Sequence, residues 1–215
     1  MLLRFLKHYR QLVTTVLLVG LLLGGGHLPP QLDGVIFYLV VFGVALLAYT
    51  RNKYMLILIG CSTLTFLLAW LRSFQDLQFD LLFCISGLIC LTSGIHSTLH
   101  FVLISKEVSR KEVFALINCY FIAGLTWAIL YTLIEGIMPG SFTYAANSAQ
   151  AMTDRFIYYS FATMTTSGDA DMVPHSLLTQ RLSVIQAVFG QFYFAIVVAY
   201  LIGKMFQGRG ELSQK

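Results

Sequence analysis

Residues 154–174 read DRFIYYSFATMTTSGDADMVP, and this stretch decides the architecture of the chain. Its first part, about residues 151–165, is too apolar and aromatic for a surface loop, yet too short to cross a hydrocarbon layer of roughly 30 Å as a helix. We therefore predict a half-helix that dips into a membrane. The second part is polar and extended, and such backbone is tolerated at membrane depth only where it is buried in protein or lines a water-filled cavity.

The composition of the whole chain supports a membrane setting. Of its 215 residues, 57% are hydrophobic and 11% are charged, and the mean hydropathy is +0.76. Ordinary soluble domains carry roughly 25% charged residues, and disordered segments are poor in apolar ones. The composition thus excludes a soluble enzyme and a disordered chain. It predicts an integral membrane protein whose function lies within the bilayer.

Apolar runs separated by polar breaks predict six membrane-spanning helices. They are placed at Leu12–Leu23, Val35–Tyr49, Tyr54–Leu71, Leu81–Ile104, Val113–Ile137 and Leu177–Gly203. The predicted fold class is an all-α membrane protein, with one re-entrant helix and its loop between the fifth and sixth spans. If the N-terminus is cytoplasmic, 11 of the 14 Lys and Arg residues lie inside, and only Arg72, Arg155 and Arg181 lie outside. The positive-inside rule favours this topology, with both termini cytoplasmic.

The re-entrant segment resembles the pore loop of the tetrameric potassium-channel superfamily. That family has an aromatic pair, then Thr-x-Thr-Thr-Val-Gly-Tyr-Gly-Asp, then Pro. Tyr158 and Tyr159 stand where the family usually has Trp-Trp, and residues 163–166 match its Thr-rich approach. The other positions that keep their places are Gly168, Asp171 and Pro174. The residues that would support the filter are Tyr158, Tyr159, Thr163, Thr165 and Pro174.

A second match lies in the last predicted span. The family's inner helix has a gating glycine twenty residues after the last filter position, and Gly190 stands twenty after Ala170 (190 − 170 = 20). Gly190 is either this hinge or a small residue for close helix contact. The resemblance covers about residues 113–203 and implies ion conduction by a homotetramer with four-fold symmetry.

The filter itself departs from the family pattern. Thr-Val-Gly-Tyr-Gly becomes Thr166, Ser167, Gly168, Asp169 and Ala170 in this sequence. Potassium selectivity in the family rests on rings of backbone carbonyls, which require glycines in left-handed conformations. A residue with a Cβ is destabilised by about 1 to 2 kcal/mol in the left-handed conformation. We therefore expect the outer rings of backbone carbonyls to be missing at Ala170. The inner sites formed by Thr166 and Ser167 are expected to remain.

Asp169 stands where the family has a tyrosine that packs behind the filter. In a tetramer, a ring of Asp169, backed by Asp171, would concentrate cations at the outer mouth, and carboxylates are good calcium ligands. We expect a cation channel with weak preference for K⁺ over Na⁺, and calcium permeation as a further hypothesis. Bacterial nonselective cation channels with Thr-Val-Gly-Asp-Gly are similar. A K⁺-selective channel and a non-conducting regulatory homologue are the alternatives.

The fourth span contains no Lys or Arg, so strong voltage sensing is not expected. It carries His96 and His100 four residues apart, on one helical face. Two histidines without a third ligand form a poor metal site, and an intramembrane metalloenzyme that uses them is a distant alternative. Otherwise we predict no enzyme, no metal and no cofactor besides the permeant cations.

The domain organisation follows from these elements. We predict a peripheral membrane domain at 1–104, a cytoplasmic linker at 105–112, a pore domain at 113–204 and a short cytoplasmic tail at 205–215. No soluble regulatory domain and no nucleic-acid partner are expected. The expected partners are the lipid bilayer and identical subunits, and the expected location is a bacterial inner membrane.

Two features of the sequence have more than one interpretation. Glu135, near the outer end of the fifth span, could pair with Arg155 or Arg181, or face water. In the last span, four large apolar side chains could close a pore, but the sequence does not assign the face that lines it. These side chains are Phe192, Phe194, Val198 and Tyr200.

Overall fold

The structure is a computed structural model that describes residues 10–24, 40, 43, 60, 77–105, 109–144, 152–169 and 171–212. Apart from three isolated positions, the second and third predicted spans, 35–49 and 54–71, lie outside the described residues. Ala170 of the predicted filter also lies outside them.

The described part of the chain contains five helices and two short strands. In order they are α1 at Arg10–Gly24, α2 at Leu77–Ile104, α3 at Arg110–Ile137, β1 at Phe142–Tyr144, α4 at Met152–Met164, β2 at Met172–Pro174 and α5 at Leu177–Leu212. Among these, α2, α3 and α5 include stretches long and apolar enough to cross a membrane. The predicted class, a mainly helical membrane protein, is confirmed at this level.

Several helix ends agree with the sequence-based prediction, and others do not. α2 and α3 end at Ile104 and Ile137, and α5 begins at Leu177, all as predicted. However, α5 continues to Leu212, so the segment predicted as a tail from residue 205 is largely helical. No proline follows Gly203, and the three glycines at 203, 208 and 210 are each tolerated within a helix at a cost of about 1 kcal/mol. The strand pair was not predicted.

α2 and α3 form a helical hairpin closed by a capping box. Ser109 is the N-cap of α3, and its Oγ accepts from the backbone N–H of Lys111. The Glu112 carboxylate accepts from the backbone N–H of Ser109 at 2.8 Å and from Ser105 Oγ at 2.7 Å. Reciprocal bonds of this kind satisfy helix-end donors and define where the helix begins. α2 ends at Ile104 and α3 begins at Arg110.

α1 is attached directly to α3 by a buried asparagine. Asn118 is fully buried, and its Nδ2 donates to the carbonyl oxygen of Gln11 at 2.9 Å and to Gln11 Oε1 at 3.1 Å. Thr15 Oγ1 donates to Asn118 Oδ1 at 2.7 Å. Polar side chains that bond across helices are a common means of attachment in membranes. The N-terminal helix is thus joined to the helix that precedes the pore loop.

Candidate functional site

The short helix α4 confirms the predicted half-helix. Its 13 residues make a rod of about 20 Å, which is shorter than the hydrocarbon layer of roughly 30 Å. It packs tightly against α3 at Gly124, where a Cβ would lie 2.5 Å from the ring of Phe161. Ser160 Oγ donates to the Gly124 carbonyl oxygen at 2.7 Å. The absence of a side chain at residue 124 therefore sets the distance between the two helices.

A fully buried glutamine connects α4 to both long helices around it. Gln186 of α5 donates from Nε2 to the carbonyl oxygen of Ser160 at 3.1 Å and to Ser160 Oγ at 2.7 Å. Its Oε1 accepts from Tyr131 Oη of α3 at 2.7 Å. An unpaired buried group of this kind costs about 1–3 kcal/mol, so the network favours one orientation of α4. Sequence analysis missed these residues, although a glutamine in an apolar span was a usable signal.

An aromatic cluster packs around the N-terminal half of α4. Tyr131, Phe142, Phe156 and Tyr159 are buried, and neighbouring rings meet edge to face with centroids 5.0–5.4 Å apart. Tyr159 Oη also forms a 2.6 Å hydrogen bond with Oγ of Ser183 in α5. Of the predicted aromatic pair, the structure brings Tyr159 into this packing. Tyr158 is 63% exposed in the single chain.

Glu135 organises the turn between α3 and β1. Its carboxylate is buried and accepts from the backbone N–H of Gly140 at 2.8 Å and of Phe142 at 3.0 Å. These bonds correspond to neither of the partners considered from the sequence. The turn directs β1 toward β2, where Phe142 pairs with Pro174 in antiparallel register. The strand pair thus holds the two ends of the loop region together.

The loop after α4 folds back onto the end of that helix. The backbone N–H of Gly168 donates to the Ala162 carbonyl oxygen at 3.2 Å, and Thr165 Oγ1 lies 3.0 Å from Ser167 Oγ. Gly168 has a φ of +79°, which agrees with the expectation of a left-handed glycine. Thr166 also has a positive φ, +58°, which a β-branched residue rarely adopts. Such strain, about 1–3 kcal/mol, persists only where the surroundings enforce it.

Asp169 lines a cavity of about 300 Å³ that is formed by residues of the loop, α4, β2 and α5. Residues that line the cavity include Tyr159, Thr163, Thr166, Asp169, Pro174 and Ala187. Asp169 Oδ1 accepts from the backbone N–H of Asp171 at 2.9 Å, which fixes the local turn. Asp169 is partly exposed and Asp171 is exposed. The structure therefore brings the two predicted acidic residues together.

Gly190 marks a close approach between α5 and the end of α4. A Cβ at this position would lie 2.1 Å from the carbonyl oxygen of Met164. The helix continues through Gly190 without a break. This contact is the close-packing role considered from the sequence. The hinge role stays a prediction.

α5 presents two different faces in the single chain. Tyr193, Val197 and Tyr200 lie toward α2 and α3 and line an apolar cavity of about 620 Å³. Tyr200 Oη donates to the Val102 carbonyl oxygen of α2 at 3.0 Å. On the opposite face, Gln191 donates from Nε2 to Thr166 Oγ1 at 3.1 Å. The face that meets the loop is therefore the one that carries Gln191.

The histidines of α2 lie away from this site. His96 and His100 are both exposed, with ring centroids 6.3 Å apart. Within the described ranges, no group of three or more His, Cys, Asp or Glu side chains could hold a metal ion. The structure thus brings the predicted loop residues together and leaves the two histidines separate from them.

Two long apolar helices that enclose a short helix and a folded-back loop define a pore-loop membrane protein. Residues 116–207 match the family model described as ion channel, which covers less than half of the chain. The match runs from α3 to α5 and includes the whole loop. It confirms the resemblance to the potassium-channel superfamily and supports an ion channel, not an enzyme. No curated protein and no solved structure is significantly similar to the chain.

Proposed function

We propose that the protein is a cation channel with weak selectivity for K⁺ over Na⁺. The observation that carries the proposal is Asp169, which stands where the resemblance implies a tyrosine and lines a cavity of about 300 Å³ beside the loop. Without an aromatic ring packed behind it, the loop is less able to hold its rings of carbonyl oxygens at one fixed diameter. Calcium permeation follows as a further proposal, because carboxylate oxygens are its preferred ligands.

The proposed conducting unit is a homotetramer. One chain supplies a single α4 and a single loop, which in this family make one quarter of a pore. The apolar stretch of α5 at Leu177–Lys204 is only 11% buried in the single chain, and this leaves a long surface for neighbouring copies. Tyr158 and Val184 belong to this exposed apolar surface. In the tetramer Asp169 becomes a ring of four carboxylates at the outer mouth.

We further propose six spans in total, both termini in the cytoplasm and a bacterial inner membrane as the location. The distribution of Lys and Arg supports this orientation. Gly190 is proposed to act as a gating hinge in addition to its packing role. The K⁺-selective channel remains the second candidate, since Gly168 keeps its left-handed conformation.

The test is the reversal potential of the purified protein in a planar bilayer, with K⁺ on one side and Na⁺ on the other, and then with Ca²⁺ in place of Na⁺. A reversal near zero supports weak selectivity. A reversal near the K⁺ equilibrium potential favours the second candidate. A protein that reconstitutes as a tetramer but carries no current favours the non-conducting homologue. Chemical cross-linking in the membrane tests the tetramer itself.

A further inference from the structure

The contact between Gln191 and Thr166 joins the last helix to the inner end of the loop. Gln191 Nε2 lies 3.1 Å from Thr166 Oγ1, and this hydroxyl in turn donates to the Thr165 carbonyl oxygen at 2.7 Å. Gln191 directly follows Gly190, whose missing Cβ allows α5 to approach the end of α4. The position of the amide therefore follows from backbone packing.

Helical periodicity places Gln191 at the top of an apolar face. Ala195, Val198 and Ile202 follow it at i+4, i+7 and i+11, and all three are exposed in the single chain. Tyr193 and Tyr200 lie on the opposite side, against α2 and α3. Of the four residues on this face, only Gln191 has a polar side chain, and its side chain contacts the loop.

We propose that Gln191 determines ion specificity by occupying the Thr166 hydroxyl, an inference that rests on the proposed channel function. A hydroxyl has one hydrogen and two acceptor positions. The Thr166 hydrogen goes to the Thr165 carbonyl oxygen, and Gln191 takes one acceptor position. One position is left for a cation at the inner end of the filter. In a tetramer, four amides form a neutral polar ring directly below this site.

This arrangement weakens the binding of a dehydrated cation at Thr166. An oxygen that already accepts an N–H bond has less electron density to offer, so the exchange of hydration water for protein oxygens becomes less favourable. Replacing Gln191 by a side chain of similar length without a donor frees the hydroxyl. We expect the K⁺ to Na⁺ permeability ratio of Gln191→Met to change by at least about 2-fold, the lower end of what one hydrogen bond contributes.

A double-mutant cycle with Thr166→Val tests whether Gln191 acts through the Thr166 hydroxyl. If Gln191 acts through the hydroxyl, Gln191→Met changes the permeability ratio in the wild-type background and has no further effect in Thr166→Val. The matched control is Gln180→Met on the same helix, because the Gln180 amide bonds only the Pro174 and His175 carbonyl oxygens near the outer end. The control is expected to keep the wild-type ratio.

A second measurement guards against loss of either variant through misfolding. Gln191→Glu places four negative charges below the filter, and block by internal Mg²⁺ is expected to appear, whereas Gln191→Met introduces none. Equal effects of Gln191→Met in both backgrounds, or no Mg²⁺ block of Gln191→Glu, would overturn the inference while the channel function stands. Absence of wild-type current would overturn the proposed function and this inference with it.

Discussion

Gly190 of α5 lies directly against the carbonyl oxygen of Met164, at the point where α4 ends and the loop begins. A Cβ on residue 190 would stand 2.1 Å from that oxygen, which is backbone and cannot rotate away. This contact therefore limits how close α5 can come to the start of the loop. The chain offers an internal control, because a Cβ on Gly203 of the same helix would meet nothing within 4 Å.

Gly190→Ala should destabilise the protein, whereas Gly203→Ala should not. Overpacking of a tight contact costs about 1–3 kcal/mol per chain, and alanine in an open helical position gains up to about 1 kcal/mol over glycine. Thermal unfolding in detergent, monitored by the loss of the tetramer band on gels, measures the stability of both variants. If the two variants unfold at the same temperature, the contact is not tight in the assembled protein. A purely hinge-related role would leave Gly190→Ala stable and alter only gating.

Asp169→Asn should reduce inward cation current and calcium permeation. The asparagine keeps Oδ1 as acceptor for the Asp171 backbone N–H, so the turn is preserved while one charge per chain is removed. The effect should be large at 0.01 M salt, where the Debye length is about 30 Å, and small at 1 M, where it is about 3 Å. Single-channel conductance at the two ionic strengths measures it. An equal loss at both strengths would point to altered loop structure instead of lost attraction.

Gln186→Leu should destabilise the pore domain by removing three hydrogen bonds at once. It leaves Tyr131 Oη without its acceptor inside a buried region, at a cost of about 1–3 kcal/mol. Adding Tyr131→Phe removes the stranded hydroxyl, so the double variant should recover part of the lost stability. Thermal unfolding of both singles and the double gives the coupling energy. Strict additivity would contradict a shared network.

Glu135→Ala should loosen the turn that leads into β1. It strands the backbone N–H groups of Gly140 and Phe142, and bonds to a charged acceptor contribute about 1.5–3 kcal/mol each. Glu135→Gln keeps one carbonyl acceptor and should lose about half as much. Hydrogen exchange at the two amides reports the change directly. Wild-type protection in the alanine variant would show that this carboxylate does not hold the turn.

Local features made the elements predictable from the sequence. The ends at Ile104 and Ile137 and the start at Leu177 coincide with the edges of apolar runs, and hydropathy alone sets these edges. The short helix was predictable because its apolar length is incompatible with a full span. The end of α5 at Leu212 was missed because hydropathy records where a helix leaves the membrane, and helical hydrogen bonds continue beyond that point.

Contacts between residues that are far apart in the chain could not be predicted from the sequence. Glu135 bonds two backbone amides of a turn whose path no pattern describes, and Gln186 meets Ser160 across 26 residues. A periodicity shows which residues share a face but not which neighbour that face meets. For the same reason, the sequence did not assign the face of the last helix that lines a pore; in the structure Phe192 and Tyr200 line the apolar cavity against α2 and α3, and their role in a gate stays a prediction.

The sequence by itself determined a membrane protein with a pore loop, since apolar length, charge placement and the Thr-rich motif are properties of contiguous residues. Only the tertiary structure decided that Gly190 meets Met164, that Gln191 faces Thr166 and that Gln186 binds α4. These relations depend on how three helices approach one another in space. That approach is set by the total packing of side chains, which no single stretch of sequence contains.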